Sequence, residues 1–320
     1  MDWPFDLQRA ARSLLQGALS WIEGSPDDPV SRVRAPSQAG RLMEITDFGS
    51  NPGGLRMLLF VPPVRARPGG PLVVLLHGCG QDAAAFGRDS GWLALARRLR
   101  FPLLLPVQVA DNNRGRCFNW FRRSATARDQ GEACSIRQMV GWAAQALATG
   151  SRRTFVAGLS AGGAMAARML AAYPDVFAAG AAVAGLPVGC AGNEAEALLR
   201  MVHAGPALPD EDWAGRVRAE APAGFRGPWP RLSIWSGMHD RVVHPGNAEL
   251  LARQWTALHG VGFEADRRLS TAPRIKRETW GDPDRPAVER WTLDDLGHAY
   301  PIHGSGHASE WVAQARLSAT

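Results

Sequence analysis

The sequence predicts an α/β fold in which helices cover both faces of a mostly parallel sheet. Short apolar runs, such as residues 72–76 and 154–157, have the length and composition of buried strands. Segments whose apolar residues recur at helical spacing lie between such runs, as at 92–99 and 132–148. Strands that alternate with helices in this way are typical of a parallel sheet joined by crossover helices.

The expected elements follow in chain order. Residues 41–63 contain strand-like runs, among them 56–61, which two prolines end. Further strands are expected at 72–76, 101–105, 154–157, 179–184, 231–235 and 288–293. Helices are expected at 92–99, at 132–148, from Ser160 to Tyr173, and at 247–259.

Two segments fall outside this alternation. Apolar residues recur at helical spacing between Leu7 and Ile22, so residues 1–40 are predicted to form an amphipathic docking helix and a linker. Residues 41–320 are then a single α/β domain. Within it, residues 186–230 are rich in glycine, proline and charge, which is typical either of a cap over the strand ends or of an ordinary surface excursion.

The composition argues against several classes of protein. The chain has 320 residues, of which 46% are hydrophobic, and a net charge of +6. Its basic residues are almost all arginines and are scattered, so no nucleic-acid-binding surface is predicted. It lacks a run of eighteen apolar residues, so no transmembrane segment is predicted. Residues 1–24 do not have the charge order of a signal peptide, which favours a cytoplasmic location.

A G-x-S-x-G motif, Gly158-Leu159-Ser160-Ala161-Gly162, lies between a predicted strand and a predicted helix. This context distinguishes a nucleophile elbow from a chance match in a glycine-rich chain. At such an elbow the serine occupies a strained turn with crowded neighbours, which glycines permit. Ser160 is therefore the predicted nucleophile of an α/β-hydrolase, and residues 41–320 are its catalytic domain.

A serine nucleophile needs a histidine base and an acid that orients it, in the chain order Ser, Asp or Glu, His. Asp240 follows the predicted strand 231–235 and is the predicted acid, although an aspartate here is also typical of a loop that caps a helix. His298 follows the strand-like run 288–293 and is the predicted base. The weaker candidates for the acid are Asp210, Asp212, Asp294 and Asp295.

Acyl transfer also needs hydrogen-bond donors for the oxyanion of the tetrahedral intermediate. The backbone N–H of Ala161, directly after the nucleophile, is one predicted donor. The other is the backbone N–H of Cys79, in a glycine-rich turn that follows the strand 72–76. A purely structural turn accounts for these glycines as well. His77, in the same turn, is predicted to be structural.

No cofactor is predicted, because the sequence contains neither a phosphate-binding glycine motif nor a convincing set of metal ligands. His303 and His307 have a spacing that binds zinc on a helix, but their glycine neighbours disfavour a helix. The four cysteines, Cys79, Cys117, Cys134 and Cys190, allow three complete pairings, and their spacing does not choose among these pairings or reduced thiols.

Several motifs together resemble the polyhydroxybutyrate (PHB) depolymerase-type esterases. The resemblance extends over about residues 45–310 and rests on these runs: Leu75-Leu76-His77-Gly78-Cys79-Gly80-Gln81, Cys117-Phe118-Asn119-Trp120-Phe121, Gly131-Glu132-Ala133-Cys134-Ser135-Ile136, Gly158-Leu159-Ser160-Ala161-Gly162-Gly163-Ala164-Met165 and Ala184-Gly185-Leu186-Pro187. It implies an α/β-hydrolase fold and a serine esterase that acts on PHB-type polyesters, their oligomers or short-chain acyl esters. The implied triad is the one expected above.

The resemblance has further implications. Members of the resembled family are often extracellular, so the location stays open between the cytoplasm and the outside of the cell. The resemblance also implies a disulfide between Cys79 and Cys117. It also suggests that Phe118, Trp120 and Phe121 line the acyl side of the cleft, although core packing is an equal expectation for aromatic residues. A carbohydrate-ester hydrolase of the feruloyl or acetyl-xylan esterase kind, with the same triad, is the alternative function.

Overall fold

A ten-stranded sheet organises the part of the chain that the computed structural model describes, which is residues 40–64, 68–150, 153–272, 274–282 and 284–301. The strands are β1 (Arg41–Ile45), β2 (Arg56–Val61), β3 (Leu72–Leu76), β4 (Leu103–Val107), β5 (Thr154–Leu159), β6 (Phe177–Val183), β7 (Arg231–Gly237), β8 (Arg267–Ala272), β9 (Ile275–Trp280) and β10 (Val288–Leu293). Their order across the sheet is β1-β2-β4-β3-β5-β6-β7-β10-β9-β8.

The centre of the sheet is parallel and its two edges are antiparallel. Strands β4, β3, β5, β6, β7 and β10 pair in parallel. The β1–β2 pair borders β4 on one side, and β9 and β8 border β10 on the other. Every residue of β3 and of β5 is buried, so both faces of the central sheet are covered. The predicted mostly parallel sheet is therefore confirmed.

Helices connect and cover these strands. They are α1 (Ala83–Asp89), α2 (Trp92–Leu99), α3 (Arg123–Thr126), α4 (Gly131–Leu147), α5 (Ala161–Ala172), α6 (Glu194–Val202), α7 (Asp210–Arg218) and α8 (Gly246–Leu258). Helix α5 packs on β3, β5 and β6, and α8 packs on β7 and β10. All twelve residues of α5 are buried, which explains its run of alanines and glycines between the sheet and its neighbouring helices.

The observed bounds differ from the expected ones at some elements. Strand β4 spans Leu103–Val107 rather than residues 101–105, because its pairing with β2 extends from Leu103, opposite Phe60, to Val107, opposite Arg56. The β8–β9 hairpin was not predicted. The predicted helix and linker of residues 1–40 lie outside the described residues except for Gly40, as do His303 and His307.

The segment 186–230 contains two helices, α6 and α7, which fasten it to α8. The side chain of Gln254 on α8 accepts a hydrogen bond from Val188 N–H and donates to Val188 O and Trp213 O. The Trp213 side chain is fully buried. This part of the segment is therefore packed structure rather than a loose excursion.

Candidate active site

Ser160 lies at the sharp turn between β5 and α5. Its backbone has φ 57° and ψ −120°, and its N–H donates a hydrogen bond of 2.8 Å to Val183 O on the neighbouring strand β6. A positive φ is strained for a residue with a side chain, and the surrounding structure must hold it in place. The backbone at Ser160 therefore has the strained turn that the G-x-S-x-G motif predicted.

Two glycines of the motif are required by close backbone approach. A Cβ on Gly162 would lie 2.2 Å from Leu76 O, at the end of β3. A Cβ on Gly158 would lie 2.2 Å from Gly162 O. Helix α5 therefore begins in direct contact with the strand that precedes the predicted oxyanion loop.

Asp240 and His298 form a hydrogen-bonded pair. His298 Nδ1 lies 2.8 Å from Asp240 Oδ2, and Oδ1 of the same carboxylate accepts hydrogen bonds of 2.8 Å from the N–H groups of Val242 and Val243. The Asp240 side chain is nearly buried, whereas that of His298 is 21% exposed. A buried acid behind a more accessible histidine is the arrangement in which an acid orients a base.

Backbone contacts join the loops that carry this pair. Met238 N–H donates to Leu293 O, and His239 N–H donates to Leu296 O. A Cβ on Gly237 would lie 2.1 Å from Leu296 O, so the two loops touch at that glycine. The loop after β7 and the loop after β10 are thus fixed against each other.

The strand order brings the three predicted residues to one edge of the sheet. Ser160 follows β5, Asp240 follows β7 and His298 follows β10, and these strands are parallel within the order β5-β6-β7-β10. The carboxyl ends of parallel strands meet at the same edge, where α/β sheets bind ligands. The roles of these residues stay a prediction.

Three of the other candidate acids lie close to basic side chains away from His298. Asp294 lies 3.8 Å from Lys276 Nζ, and Asp295 lies 2.6 Å from an Arg274 guanidinium nitrogen. Asp210 lies 3.5 Å from an Arg253 guanidinium nitrogen on the surface of α8. Asp212, in the first turn of α7, carries no contact to His298. Asp240 is the candidate that the structure places on His298.

The predicted oxyanion donors lie on two neighbouring segments. Ala161 is the first residue of α5, where a helix offers its N–H no internal acceptor. In the turn after β3, the amides of Gly78, Gly80 and Gln81 donate to Gln81 Oε1, Gly115 O and Gly78 O. The Cys79 amide, in the midst of these, donates to no acceptor among the described residues.

A disulfide holds the turn after β3. Cys79 is bonded to Cys117, which is the pairing that the resemblance implied. Hydrogen bonds flank the disulfide, from Gly80 N–H to Gly115 O and from the Arg116 guanidinium to Gly80 O. Cys134 and Cys190 are free thiols, and burial raises the pKa of Cys190 to about 12.

The structure corrects the prediction for one of the three aromatic residues. The side chain of Phe118 has 0% exposure and packs on the His77 ring at 5.0 Å between centroids, so Phe118 is a core residue and does not line the cleft. Trp120 and Phe121 are 4% and 5% exposed and contact each other edge to face. Since Ser160 is itself 5% exposed, this burial is compatible with contact to a substrate, and their role stays a prediction.

Next to the turn after β3 lies a buried network of polar side chains that was not predicted as part of the site. His77 Nδ1 lies 2.7 Å from Gly78 O, and His77 Nε2 accepts a hydrogen bond of 3.1 Å from Gln108 N–H. Gln108 Nε2 in turn donates to Glu132. Burial lowers the pKa of His77 and raises that of Glu132. The His-Gly dipeptide after a buried strand was the signal in the sequence, but it does not tell which atoms the histidine contacts.

A cavity of about 470 Å³ lies among α8 and the strands β7 to β10. Its lining includes Met238, Glu249, Lys276, Glu278 and Arg290, and it contains none of the three triad candidates. Its charges are paired, since Arg290 contacts both Glu278 and Glu249. The cavity therefore adds no group to the candidate triad.

The described residues contain no group of three or more His, Cys, Asp or Glu side chains that could hold a metal ion. None of their helices is long and apolar enough to cross a membrane.

Comparison with known proteins places the chain among ester hydrolases. The model of the family described as esterase PHB depolymerase matches residues 55–275. The chain is 36% identical over 285 residues to poly(3-hydroxyalkanoate) depolymerase C of Paucimonas lemoignei, a match that covers 86% of this chain and 65% of that protein. The chain thus spans about two thirds of the length of that depolymerase.

Acetylxylan esterases are similar as well. Acetylxylan esterase A of Aspergillus oryzae is 31% identical over 276 residues, which cover 83% of this chain and 87% of that protein. The solved structure of an acetyl xylan esterase from Aspergillus awamori superposes with a TM-score of 0.75 at 27% identity, covering 86% of this chain and 99% of that chain. The predicted α/β-hydrolase fold is confirmed by this similarity.

Proposed function

This chain belongs to the PHB depolymerase family of esterases, and we propose that it is a serine esterase in which Ser160, His298 and Asp240 form the catalytic triad. The observation that carries the proposal is the shared edge of the sheet. A strained serine after β5 and a hydrogen-bonded Asp240–His298 pair, after β7 and β10, lie at the carboxyl ends of parallel strands. This is the triad arrangement of α/β-hydrolases, in the required chain order.

The proposed reaction proceeds through an acyl-enzyme. His298 Nε2 takes the proton of Ser160 Oγ as the oxygen attacks the ester carbonyl, and Asp240 Oδ2 accepts the Nδ1–H and stabilises the imidazolium. The amides of Cys79 and Ala161 donate to the oxyanion. The alcohol leaves with the proton from His298, and a water activated by the same histidine releases the acid.

We propose PHB-type polyesters, their oligomers or short-chain acyl esters as the substrate class. The support is the 36% identity to a protein named a poly(3-hydroxyalkanoate) depolymerase. Trp120 and Phe121 are proposed to contact the acyl chain, because aromatic rings bind extended apolar groups.

An acetylated carbohydrate is the second candidate substrate. It is favoured by the acetylxylan esterases, which this chain covers over 87% and 99% of their length in the two matches above. The triad and the oxyanion donors are the same in both proposals, whereas the surfaces that receive the acyl group and the alcohol part of the ester differ.

A substrate panel distinguishes these proposals. Hydrolysis of p-nitrophenyl acetate and butyrate, of hydroxybutyrate oligomers, of amorphous PHB and of acetylated xylan is measured for the natural chain and for Ser160→Ala. Release of hydroxybutyrate at a kcat/KM well above that for acetate release from xylan supports the polyester proposal. The reverse ratio supports the carbohydrate proposal. Full activity of Ser160→Ala would exclude both.

A further inference from the structure

We propose that His77 is a positioning residue for the oxyanion-binding amide of Cys79, because it holds the carbonyl end of the peptide unit that carries this amide. The inference rests on the proposed function, since it assigns a role within the same site. It concerns the turn after β3, whose other anchors are the Cys79–Cys117 disulfide and the hydrogen bond from Gly80 N–H to Gly115 O.

One peptide unit links His77 to the proposed oxyanion donor. Gly78 C=O and Cys79 N–H belong to the same planar trans peptide, so they point in opposite directions. His77 Nδ1 lies 2.7 Å from Gly78 O, and Gln81 N–H also donates to this oxygen at 3.3 Å. A group that fixes the direction of the carbonyl therefore fixes the direction in which the Cys79 N–H points.

The two hydrogen-bond partners of His77 determine its tautomer. Gly78 O only accepts a hydrogen bond, so Nδ1 carries the proton and donates it. Gln108 N–H only donates, so Nε2 is unprotonated and accepts. The imidazole is therefore neutral, with its proton directed at the oxyanion turn. An imidazolium would place an N–H against the Gln108 N–H.

A hydrogen-bonded network of buried side chains holds the imidazole of His77 in place. The side chain of Gln108 donates to Glu132 Oε1 at 2.8 Å and to Cys117 O at 3.1 Å. Glu132 also accepts hydrogen bonds of 2.9 and 2.6 Å from the backbone and side-chain amides of Asn119. His77, Gln108, Asn119 and Glu132 are all nearly or fully buried. The network thus connects the His77 ring to the segment that carries the other half of the disulfide.

Two substitutions separate the donor of His77 from its acceptor. In His77→Asn the side-chain NH₂ lies near the position of Nδ1 and can still donate to Gly78 O. In His77→Gln the amide reaches the position of Nε2 and can accept from Gln108 N–H, but the donor to Gly78 O is lost. Removing an oxyanion donor typically costs about 10²–10³ in kcat. For a misdirected donor we expect kcat to fall about 10- to 100-fold in His77→Gln and less in His77→Asn, with KM of p-nitrophenyl butyrate nearly unchanged in both.

An alkylboronic acid forms a tetrahedral adduct on a nucleophilic serine. Its inhibition constant provides a second measurement, which does not change when a variant is merely less stable. Its inhibition constant should rise in His77→Gln by about the same factor as kcat falls. Equal kcat values in the two variants, or a rise in KM alone, would overturn the proposal. Retained activity in Ser160→Ala would instead overturn the proposed function, so the two failures are distinguishable.

A measurement on the unaltered chain covers the case in which His77→Gln does not fold. A ¹⁵N-resolved spectrum of the imidazole rings between about pH 6 and 8 should show one histidine with Nδ1 protonated and Nε2 unprotonated throughout. Its signals should be assigned to His77 by their loss in His77→Asn. A protonated Nε2 on His77 in this range contradicts the proposal.

Discussion

At the scale of single residues, the candidate site depends on where a few atoms are held. Ser160 is kept in a backbone conformation that few side-chain-bearing residues adopt, and its N–H is tied to Val183 O. Asp240 is held by two backbone amides in addition to His298. Main-chain contacts therefore preorganise the candidate site, as stabilisation of a transition state requires.

Replacement of Asp240 by Asn tests the role of the acid. The Asn Oδ1 can keep the contacts to the Val242 and Val243 amides, but its NH₂ no longer accepts from His298 and favours the wrong tautomer. We expect kcat for p-nitrophenyl butyrate to fall about 10³- to 10⁴-fold, as measured by initial rates. Asp294→Asn, a surface carboxylate paired with Lys276, is the matched control and should retain nearly full activity. Comparable losses in both variants would refute the assignment of Asp240.

The sequence alone selects the candidate triad, but it does not give the packing around these residues. Ser160, Asp240 and His298 are identified by a motif and by chain order, which are one-dimensional properties. The burial of Phe118 and the contact of His77 with Gly78 O depend on how the chain packs in three dimensions. The same aromatic run therefore predicted a cleft at Phe118, where the structure has core.

At the scale of elements, the junction between β5 and α5 requires a residue without a side chain at position 162. We expect Gly162→Ala to lower the free energy of unfolding by at least about 1–3 kcal/mol, because its Cβ would collide with Leu76 O. Urea denaturation measures this change, and kcat should fall with it as α5 moves away from β3. Gly215→Ala on α7 is the control, since its added Cβ would meet no atom within 4 Å beyond its chain neighbours and the adjacent backbone of its own helix, and it should stabilise the chain by about 0.5–1 kcal/mol. An unchanged midpoint for Gly162→Ala would contradict the close approach.

The disulfide between Cys79 and Cys117 also stabilises the local structure of the candidate site. It closes a loop with a sequence separation of 38, for which the chain-entropy model gives about 4 kcal/mol of stabilisation. We expect Cys117→Ser, or reduction of the natural chain, to lower both the unfolding midpoint and kcat, because Cys79 carries a proposed oxyanion donor. Cys134→Ser removes a free thiol and is the control. Activity that survives full reduction, as verified by thiol titration, would count against this role.

Strands with apolar runs were predicted, and the charge-rich β8–β9 hairpin was not. Strands β2 and β3 were placed with the bounds that the structure has. The hairpin was missed because its strands contain the charged runs Arg267-Arg268 and Lys276-Arg277-Glu278 instead of apolar runs. Its strand β9 is joined to β10 by the pairs Arg277–Glu289 and Arg290–Glu278, contacts that become visible only once the strands are aligned.

At the scale of the whole molecule, a buried ion pair joins segments that are distant in sequence. The Arg168 guanidinium on α5 lies 2.9 Å from Glu220 Oε1, after α7, and donates to Trp120 O at 3.0 Å. Both charged side chains are less than one tenth exposed. Burial lowers the pKa of Arg168, an effect that Glu220 opposes. The pair connects α5 to the segment 186–230, and the same guanidinium connects α5 to Trp120.

Removal of one partner tests this connection. Glu220→Leu would leave a buried guanidinium without its carboxylate, and we expect a loss of about 3–5 kcal/mol in the free energy of unfolding. Glu211→Ala, which removes an exposed partner of Arg218, should change it by less than about 1 kcal/mol. Both values come from urea denaturation at neutral pH. Similar effects for the two variants would show that Arg168 does not depend on Glu220.

Ser160 is proposed as the nucleophile, and every other assignment in the candidate site depends on it. Covalent labelling with a fluorophosphonate, followed by digestion and mass spectrometry, tests this role, because only an activated serine reacts at an appreciable rate. We expect one label per chain, located on Ser160, together with loss of esterase activity and no labelling of Ser160→Ala or His298→Ala. A label on another residue, or undiminished labelling of Ser160→Ala, would show that Ser160 is not the nucleophile.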